Sequence, residues 1–329
     1  MTHPTDVRLY KLTIARIETE IEKRVIAAKT FRLSEEVRFS SIKSSDPSVT
    51  LEKMQGGLGN ILFQLASAFG VAKTNSRVFT LKSNDLRLRY FVGLHVPTLS
   101  VQYDIALLPE KFCCKHSNEI QNLNLIYENK TVALSGYLQS WKYFNTYGVE
   151  IRNAFTFDFE VYQTALRAIN NSLTANLWSD DLTHLGYWRS TRQFPVLVGM
   201  HVRRGDILQT LFQDYGHTAS TDQYLLRATI YFQRKYEFVI FVVVSNDINY
   251  SRKVFVNQQN FVFINTTEAS DMALMTLMDH MIISVGTYGF WSAYLGKPDR
   301  DILYFKHWPK NGSKLDLEFS HEDYFLPKW

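Results

Sequence analysis

Two adjacent arginines, Arg203 and Arg204, follow an apolar stretch within the run His201-Val202-Arg203-Arg204-Gly205-Asp206. A guanidinium group stays charged at any working pH and offers a planar fork of donors that matches phosphate oxygens. Because side chains alternate along a strand, only one of the two arginines should face a ligand. We expect the other to make a structural salt bridge, with Asp206 as the candidate partner. The pair therefore predicts a site for a phosphate-bearing ligand.

Three more polar clusters follow apolar runs later in the chain. They are Ser245-Asn246-Asp247, Thr266-Thr267-Glu268 with Asp271, and Gly286-Thr287-Tyr288-Gly289. Parallel α/β sheets bind ligands outside the carboxyl ends of their strands. Loops are polar in general, which would explain any one cluster, whereas four clusters at one edge favour a binding site. The glycine-flanked cluster fits either an anion site at a helix start or a plain tight turn.

The elements that must position these clusters alternate between strands and helices, which predicts crossover connections and a parallel sheet. In the last third we predict strands at 196–202, 238–244, 261–264, 281–285 and 302–305, and helices at 222–236, 248–256, 271–280 and 288–295. Ser270 is the expected cap of the third of these helices. In the first half we predict a helix at 61–71, strands at 78–81 and 131–138, and a helical segment at 151–190 that could form a hinge.

The sequence lacks the motifs of several common nucleotide-binding, metal-binding and catalytic sites. The glycine-rich turn at 56–59 lacks the third glycine of the dinucleotide fingerprint, since Leu62 stands there, and lacks the Gly-Lys-Ser or Gly-Lys-Thr of a P-loop. No Cys/His spacing fits zinc. Asp299-Arg300-Asp301 has the D-x-D form that holds a divalent ion in some transferases, but its position favours a solvated turn. No Ser-His-Asp triad can be assembled, so His201 is either an oriented site residue or a satisfied strand-end histidine.

The chain has 329 residues, which exceeds one ordinary domain of ~100–200 residues, so we expect two domains. We place them at 51–190 and 191–329, after a stem or linker at 1–50. Within that stem, Ile14, Ile17, Ile21 and Val25 have the spacing of one helix face among charged residues, which predicts a solvated amphipathic helix. The formal net charge of +4 gives no sign of the basic face that nucleic-acid binding requires.

The sequence gives only weak indications of the cellular compartment in which the protein works. The two cysteines, Cys113 and Cys114, are neighbours and are not expected to bridge to each other. No run of 18 or more apolar residues predicts a membrane-spanning helix. The N-x-Ser/Thr pattern begins at Asn129, Asn170, Asn249, Asn265 and Asn311. About half of these matches are expected by chance in a chain of this composition, so they give modest support to a lumenal location.

Taken in order, the motifs resemble those of the α-1,2-fucosyltransferase family. The blocks that carry the resemblance are Gly56-Gly57-Leu58-Gly59-Asn60 with Phe63-Gln64, Gly136-Tyr137-Leu138-Gln139-Ser140 with Tyr143-Phe144, His201 to Asp206, Ser245-Asn246-Asp247, and Asp271 to Leu295. The resemblance implies an α/β, GT-B-like fold of two Rossmann-like domains with mostly parallel sheets facing a cleft. It also implies inverting transfer of fucose from GDP-fucose to a galactoside-terminated glycan, without a metal or other cofactor.

The resemblance also implies roles for individual residues. The implied donor-binding residues are Asn60, His201, Arg203, Asn246, Asp271, Ser284, Thr287 and Tyr288, and the implied acceptor-side residues are Tyr137, Gln139 and Trp141. Arg203 would contact the β-phosphate, Asp271 would read guanine, and Asn60 would reach the diphosphate or fucose from across the cleft. The implied catalytic residues are Arg203 and Asp206. Asp206 is a candidate base, although a role in holding Arg204 or the loop fits equally well.

Members of the α-1,2-fucosyltransferase family are usually anchored in the Golgi by one N-terminal helix. The resemblance therefore implies a location in the Golgi lumen or membrane. The chain itself has the composition of a soluble protein. Two other functions remain open. One is fucosyl transfer to another acceptor, such as the N-glycan core or a protein hydroxyl. The other is a non-catalytic protein of the same fold that binds a sugar nucleotide.

Overall fold

A computed structural model of the protein describes residues 4–40, 46–82, 85–98, 105–177, 194–256, 258 and 260–329. In the first half, the helices are α1 (Pro4–Ser40), α2 (Leu58–Thr74), α3 (Asn118–Gln121), α4 (Gly148–Ala154) and α5 (Phe159–Leu177). The strands there are β1 (Ser48–Leu51), β2 (Val78–Thr80), β3 (Ile105–Pro109) and β4 (Thr131–Ser135). The predicted helical segment at 151–190 thus comprises parts of α4 and α5, and its last residues lie outside the described ranges.

The second half alternates strands and helices as the sequence predicts. The strands are β5 (Val196–Val202), β6 (Val239–Ser245), β7 (Phe261–Ile264), β8 (His280–Ile283) and β9 (Ile302–Tyr304). The helices are α6 (Thr210–Tyr215), α7 (Asp222–Lys235), α8 (Ile248–Val254), α9 (Glu268–Thr276), α10 (Thr287–Tyr294), α11 (Lys314–Glu318) and α12 (His321–Tyr324). The predicted cap of α9 was wrong: Thr267 caps it, because its Oγ1 accepts the Ser270 amide at 3.2 Å.

The chain forms two compact units. The four-strand unit comprises Arg24–Asp158 and Pro309–Trp329, and the five-strand unit comprises Met1–Lys23 and Phe159–Trp308. The expected boundary at residues 190/191 therefore does not coincide with the division between the units. The reasons are that α5 packs against α9 and β7 of the five-strand unit, and that the last residues pack into the four-strand unit.

The four-strand unit has a parallel sheet in the order β2-β1-β4-β3. Helix α2 is buried along most of its length, which fits its apolar sequence. Strand β4 ends at Ser135 rather than at Leu138, because the chain turns where Gly136 has φ +139° and Leu138 has φ +53°. Tyr137, which we predicted to lie within the strand, therefore lies in the turn that follows it.

The five-strand unit also has a parallel sheet, in the order β7-β6-β5-β8-β9. Alternate residues of β5 divide between its two faces, and Val198, Met200 and Val202 join the core cluster formed with α7. Gly199 faces the other way, against methionines of α9 and β8. His201 and Arg203 continue this second series, so they lie on the face that α9 and α10 cover.

Helix α1 is not the solvated stem that we expected. Its apolar face is buried, with Ile17, Ile21, Val25 and Ala28 all at most 6% exposed. In the five-strand unit, Arg16 forms an ion pair with Asp279 at 3.0 Å. The spacing correctly predicted a helix, but the apolar face of that helix packs against other residues of the protein instead of facing solvent.

Cys113 and Cys114 form a disulfide, contrary to the expectation that neighbours would not bridge. They lie in a turn in which Cys114 has φ +67°, and this backbone brings the two side chains together. None of the described helices has the length and apolarity needed to cross a membrane.

Candidate functional site

Arg203 lies immediately beyond the carboxyl end of β5 and is held at both its backbone and its side chain. Its amide donates to Ser284 Oγ at 2.8 Å. Its Nε and Nη2 donate to the two carboxylate oxygens of Asp206, at 3.2 and 2.7 Å. Asp206 is therefore the partner of Arg203, and the expected pairing of Asp206 with Arg204 was wrong. The fork-to-fork geometry fixes the plane of the Arg203 guanidinium.

The guanidinium of Arg203 lies beside the N-terminus of α10. A Cβ atom added at Gly286 would come within 2.4 Å of Arg203 Nη1, and Gly286 has φ +84°, so only glycine fits there. A helix N-terminus carries partial positive charge, so it does not attract a cation. Two positive groups placed together form a site that an anion would stabilise.

Arg204 has a different environment. Its guanidinium carbon lies 3.8 Å from the ring centroid of Tyr250. The amides of Arg204 and Gly205 both donate to Asn246 Oδ1, at 2.8 and 3.3 Å. Asn246, predicted to bind the donor, thus holds the arginine loop in shape here. The structural salt bridge expected of the second arginine is thus made by Arg203, and Arg204 stacks on an aromatic ring instead.

His201 is buried under α10 and remains uncharged at neutral pH. Burial, assisted by the charge of Arg203, lowers the pKa of His201 to about 3. Its ring centroid lies 5.1 Å from that of Tyr288, and a Cβ added at Gly289 would come within 2.7 Å of its Nδ1. Tyr288 Oη donates to the Glu268 carbonyl at 2.6 Å, and burial raises the pKa of Tyr288. The aromatic pair joins the starts of α9 and α10.

Asp271 lies in the first turn of α9. Its Oδ1 accepts the Thr266 amide at 3.0 Å and the Thr266 hydroxyl at 2.6 Å. Burial raises the pKa of Asp271, while the two Thr266 hydrogen bonds oppose the rise. Within the described residues, Oδ2 has no hydrogen-bond partner and remains for a ligand. Together with Ser284 and Thr287, Asp271 completes the predicted set at this edge of the five-strand sheet.

The remaining predicted residues lie together in the four-strand unit. Gln139 Nε2 donates to Asn60 Oδ1 at 3.1 Å. Trp141 Nε1 donates to the Glu322 carbonyl at 3.0 Å, so the C-terminal segment holds the indole. The amide of Tyr137 donates to Glu110 Oε2 at 2.9 Å. The structure thus groups Asn60 with the acceptor-side residues.

One residue near these clusters was missed by the sequence analysis. Glu110 follows β3, a strand that we did not predict, and recognising that strand would have placed the carboxyl group at a sheet edge.

Glu110 holds the Gly136–Leu138 turn, since its Oε2 accepts the amides of Tyr137 and Leu138 at 2.9 and 3.0 Å. Burial raises its pKa to about 7, and the two amides only partly oppose this. A carboxyl group whose pKa is raised by folding binds a proton more tightly in the folded state. It therefore contributes stability at low pH, and that contribution is lost as the pH rises from 4.5 to about 7.

We expect Glu110→Gln to abolish this pH-dependent loss of stability, because glutamine does not ionise. In urea unfolding at a series of pH values, the stability of the variant relative to the parent should rise by up to about 3 kcal/mol across that range. The exposed Glu128→Gln is the matched control and should give parallel curves. Parallel curves for Glu110→Gln as well would show that the carboxyl group is not buried as described.

The D-x-D segment does not form a metal cluster in the structure. Asp299 is exposed, Asp301 pairs with Lys235, and Arg300 is buried with its guanidinium on main-chain carbonyls. Among the residues that the structure describes, no group of three or more His, Cys, Asp or Glu side chains is placed to hold a metal ion.

Two α/β units, each built on one parallel sheet, are the architecture of the GT-B class of glycosyltransferases, and the predicted fold class is confirmed. The crystal structure of POFUT1 in complex with GDP matches this fold with a TM-score of 0.50 and 12% identity, covering 81% of this chain and 100% of that chain.

The chain belongs to Glycosyl transferase family 11, whose sequence profile matches residues 49–329. It is 31% identical over 283 residues to Galactoside alpha-(1,2)-fucosyltransferase 1 of Ateles belzebuth, which covers 83% of this chain and 72% of that protein. The protein of the same name from Lagothrix lagotricha is 30% identical with the same coverage. The predicted family resemblance is confirmed, and the protein is a glycosyltransferase.

Proposed function

We propose that this glycosyltransferase transfers L-fucose from GDP-fucose to the 2-hydroxyl of a galactoside on a glycan, with inversion. The observation that carries the proposal is the 31% identity over 283 residues with a protein named as a galactoside α-(1,2)-fucosyltransferase. Arg203, paired with Asp206 beside the N-terminus of α10, supports it as a site for the diphosphate. A Golgi location is part of the same proposal.

In the proposed reaction, a bond forms between the acceptor oxygen and the anomeric carbon while the bond to the β-phosphate oxygen breaks. GDP leaves with the electron pair, and the charge that grows on its β-phosphate is stabilised by Arg203 and the amides at the start of α10. The acceptor proton goes to a base or to the departing phosphate. Burial works to raise the pKa of Asp206, but its bonds to Arg203 outweigh that effect and lower it, which favours Asp206 as the residue that orients Arg203.

A transfer assay with labelled GDP-fucose tests the proposal. We expect a β-galactoside to accept fucose, its 2-deoxy analogue to accept none, and NMR of the product to show an α-1,2 linkage. Transfer should continue in EDTA, because cationic side chains and helix amides are proposed to stabilise the leaving group. Transfer to the 2-deoxy analogue would exclude the proposed linkage, and activity that requires added Mn²⁺ would exclude the metal-free mechanism.

Asp271 is proposed to accept hydrogen bonds from the guanine edge through its unpartnered Oδ2. We expect Asp271→Asn to weaken GDP binding about tenfold and to reduce the preference for GDP over ADP, because an Asn whose oxygen accepts the two Thr266 donors presents an NH2 donor, not an acceptor, to the guanine edge. Competition binding with the two nucleotides measures both effects. Thr266→Val, which removes only the hydroxyl bonded to Oδ1, is the control and should keep the preference. An Asp271→Asn protein with unchanged selectivity would leave Asp271 a purely structural role.

A further inference from the structure

Helix α1 carries a second apolar face, opposite to the one that it buries. Ile26, Leu33 and Val37 are 66%, 63% and 73% exposed, although each is a large apolar side chain. Together with Thr30 they recur at steps of four, three and four residues, so they lie in one line along the helix. Ala28, which is fully buried, lies about half a turn away, so this line points away from the four-strand unit. We call these four exposed residues the outer stripe.

The spacing of the outer stripe is that of a contact between two helices. Steps of three and four residues define the a and d positions of a coiled coil. Thr30, the polar member, has its hydroxyl bonded to the Ile26 carbonyl at 3.0 Å, which leaves its methyl group for packing. Single exposed apolar residues are ordinary on a protein surface, whereas a contiguous apolar patch marks an interaction site. The outer stripe therefore fits an apolar face of another helix.

Two side chains of opposite charge flank the outer stripe on the same side. Lys29 is exposed and forms no ion pair with any residue that the structure describes. Arg32 Nε donates to Glu36 Oε1 at 2.8 Å, and His95 Nδ1 lies 3.6 Å from the same oxygen. Within the described part of the chain, Oε2 of Glu36 is left without an ion pair. Both the lysine and the second oxygen of the glutamate are thus available to a partner helix.

The apolar positions of the outer stripe are complementary to themselves. When two copies of α1 pack antiparallel about a two-fold axis, Ile26 of one copy lies against Val37 of the other. In the same register, Thr30 of one copy lies against Leu33 of the other. The two-fold axis repeats each pair, which gives four consecutive layers without a gap. A contact of this kind uses the same patch on both copies and closes after two of them.

The charges select this antiparallel register. Lys29 and Glu36 occupy the same position in consecutive heptads, beside the a and d line. In the antiparallel pair, Lys29 of each copy faces Glu36 of the other, so two ion pairs form across the contact. In a parallel pair, Lys29 would face Ser34 of the second copy and would find no carboxylate there. Flanking charges of this kind set the partner and the orientation of paired helices.

We propose that two copies of this protein associate through the outer stripes of their α1 helices, which run antiparallel. The contact is short, so we expect a weak dimer with a Kd in the micromolar range. Helix α1 precedes residues 49–329, the segment that the family profile matches, so this surface is separate from the region that the family shares. The proposal is independent of the proposed function, because it concerns no residue of the candidate site.

Sedimentation equilibrium of the full chain at about 1–200 µM measures the association. We expect the parent protein to shift from monomer to dimer across this range. Leu33→Glu should raise the Kd at least about a hundredfold, because the dimer would place two carboxylates in apolar layers. Leu125→Glu is the matched control: Leu125 is 84% exposed in the same unit but lies outside α1, so the Kd should be unchanged.

A mixing experiment tests the register. Lys29→Glu and Glu36→Lys each place like charges opposite each other twice, so each variant alone should have a Kd raised about tenfold. The two variants are complementary to each other, so their equimolar mixture should form a mixed dimer whose Kd is within about threefold of that of the parent. A defect in the fold of either variant would not be repaired by mixing.

Three results would overturn the proposal. One is a parent protein that stays monomeric at about 200 µM, including the case in which the outer stripe instead binds phosphatidylcholine vesicles. Another is a dimer that Leu33→Glu does not weaken, because that dimer would use a different surface. The third is a mixture of the two charge variants that associates no better than either variant alone, since this would exclude the antiparallel pairing of Lys29 with Glu36.

Discussion

Replacing Arg203 with alanine is expected to lower kcat for sugar transfer about 10²–10³-fold, or about 2.7–4 kcal/mol in the barrier, by analogy with the loss of one oxyanion donor. The guanidinium is fixed by Asp206 and lies against Gly286, so it is preorganised beside the N-terminus of α10. Charge grows on the leaving phosphate in the transition state, so a fixed donor there binds that state better than the ground state. Arg203→Lys should recover little, because lysine lacks the fork that Asp206 orients.

Arg204 provides the control for this prediction. It is the neighbouring residue and has the same charge, but it stacks on Tyr250. Arg204→Ala should retain most of kcat in the same assay, with both variants checked for an unchanged melting temperature. If Arg204→Ala is inactive and Arg203→Ala is active, the diphosphate is bound by the other arginine. If both keep full activity, the diphosphate site is not at this sheet edge.

The largest expected effect on stability comes from Arg300. Its Nη1 donates to the carbonyls of Met275 and Met278, both at 3.1 Å, and its Nη2 donates to those of Ser292 and Ala293, at 2.5 and 2.6 Å. These carbonyls lie at the C-terminal ends of α9 and α10. One buried cation therefore satisfies acceptors of two helices and faces the negative ends of both.

We expect Arg300→Met to lower the free energy of unfolding by about 3 kcal/mol or more, because it removes the charged donor shared by four carbonyls and leaves those of Met278 and Ser292 buried without it. Urea unfolding monitored by circular dichroism measures the change. The control is Arg227→Met on α7, where the arginine is exposed, and it should have little effect. A loss below about 1 kcal/mol in Arg300→Met would mean that water or another donor replaces the guanidinium.

The alternating pattern of the second half predicted its strands closely, since β5 and β7 have the predicted bounds. A central strand such as β6 is buried on both faces, so nearly all of its residues are apolar. Such an apolar run can be recognised from the local sequence alone. Strand β3 was missed although Ile105 to Leu108 is apolar, because an apolar run of four residues does not by itself distinguish a strand from other structure. The caps and ends of helices differed by a few residues, as for Thr267 and α9.

The candidate site was predictable where chemistry and position coincide in one segment. Arg203, Asp271 and the start of α10 are examples, because each follows a strand of the same sheet. The pairing of Arg203 with Asp206 could not be read from sequence, since it depends on how the loop turns after β5.

The four-strand unit is made from two stretches of chain, and the second is synthesised after the whole of the five-strand unit. Until Pro309–Trp329 emerges, Phe63 lacks the Tyr324 ring that packs on it at 5.6 Å, and Asp323 cannot bond the His116 amide or Lys142. The sequence of the five-strand unit is complete before that point. We therefore expect the five-strand unit to be able to finish folding first, while the four-strand unit exposes apolar surface until Pro309–Trp329 has been synthesised and depends on chaperones in that interval.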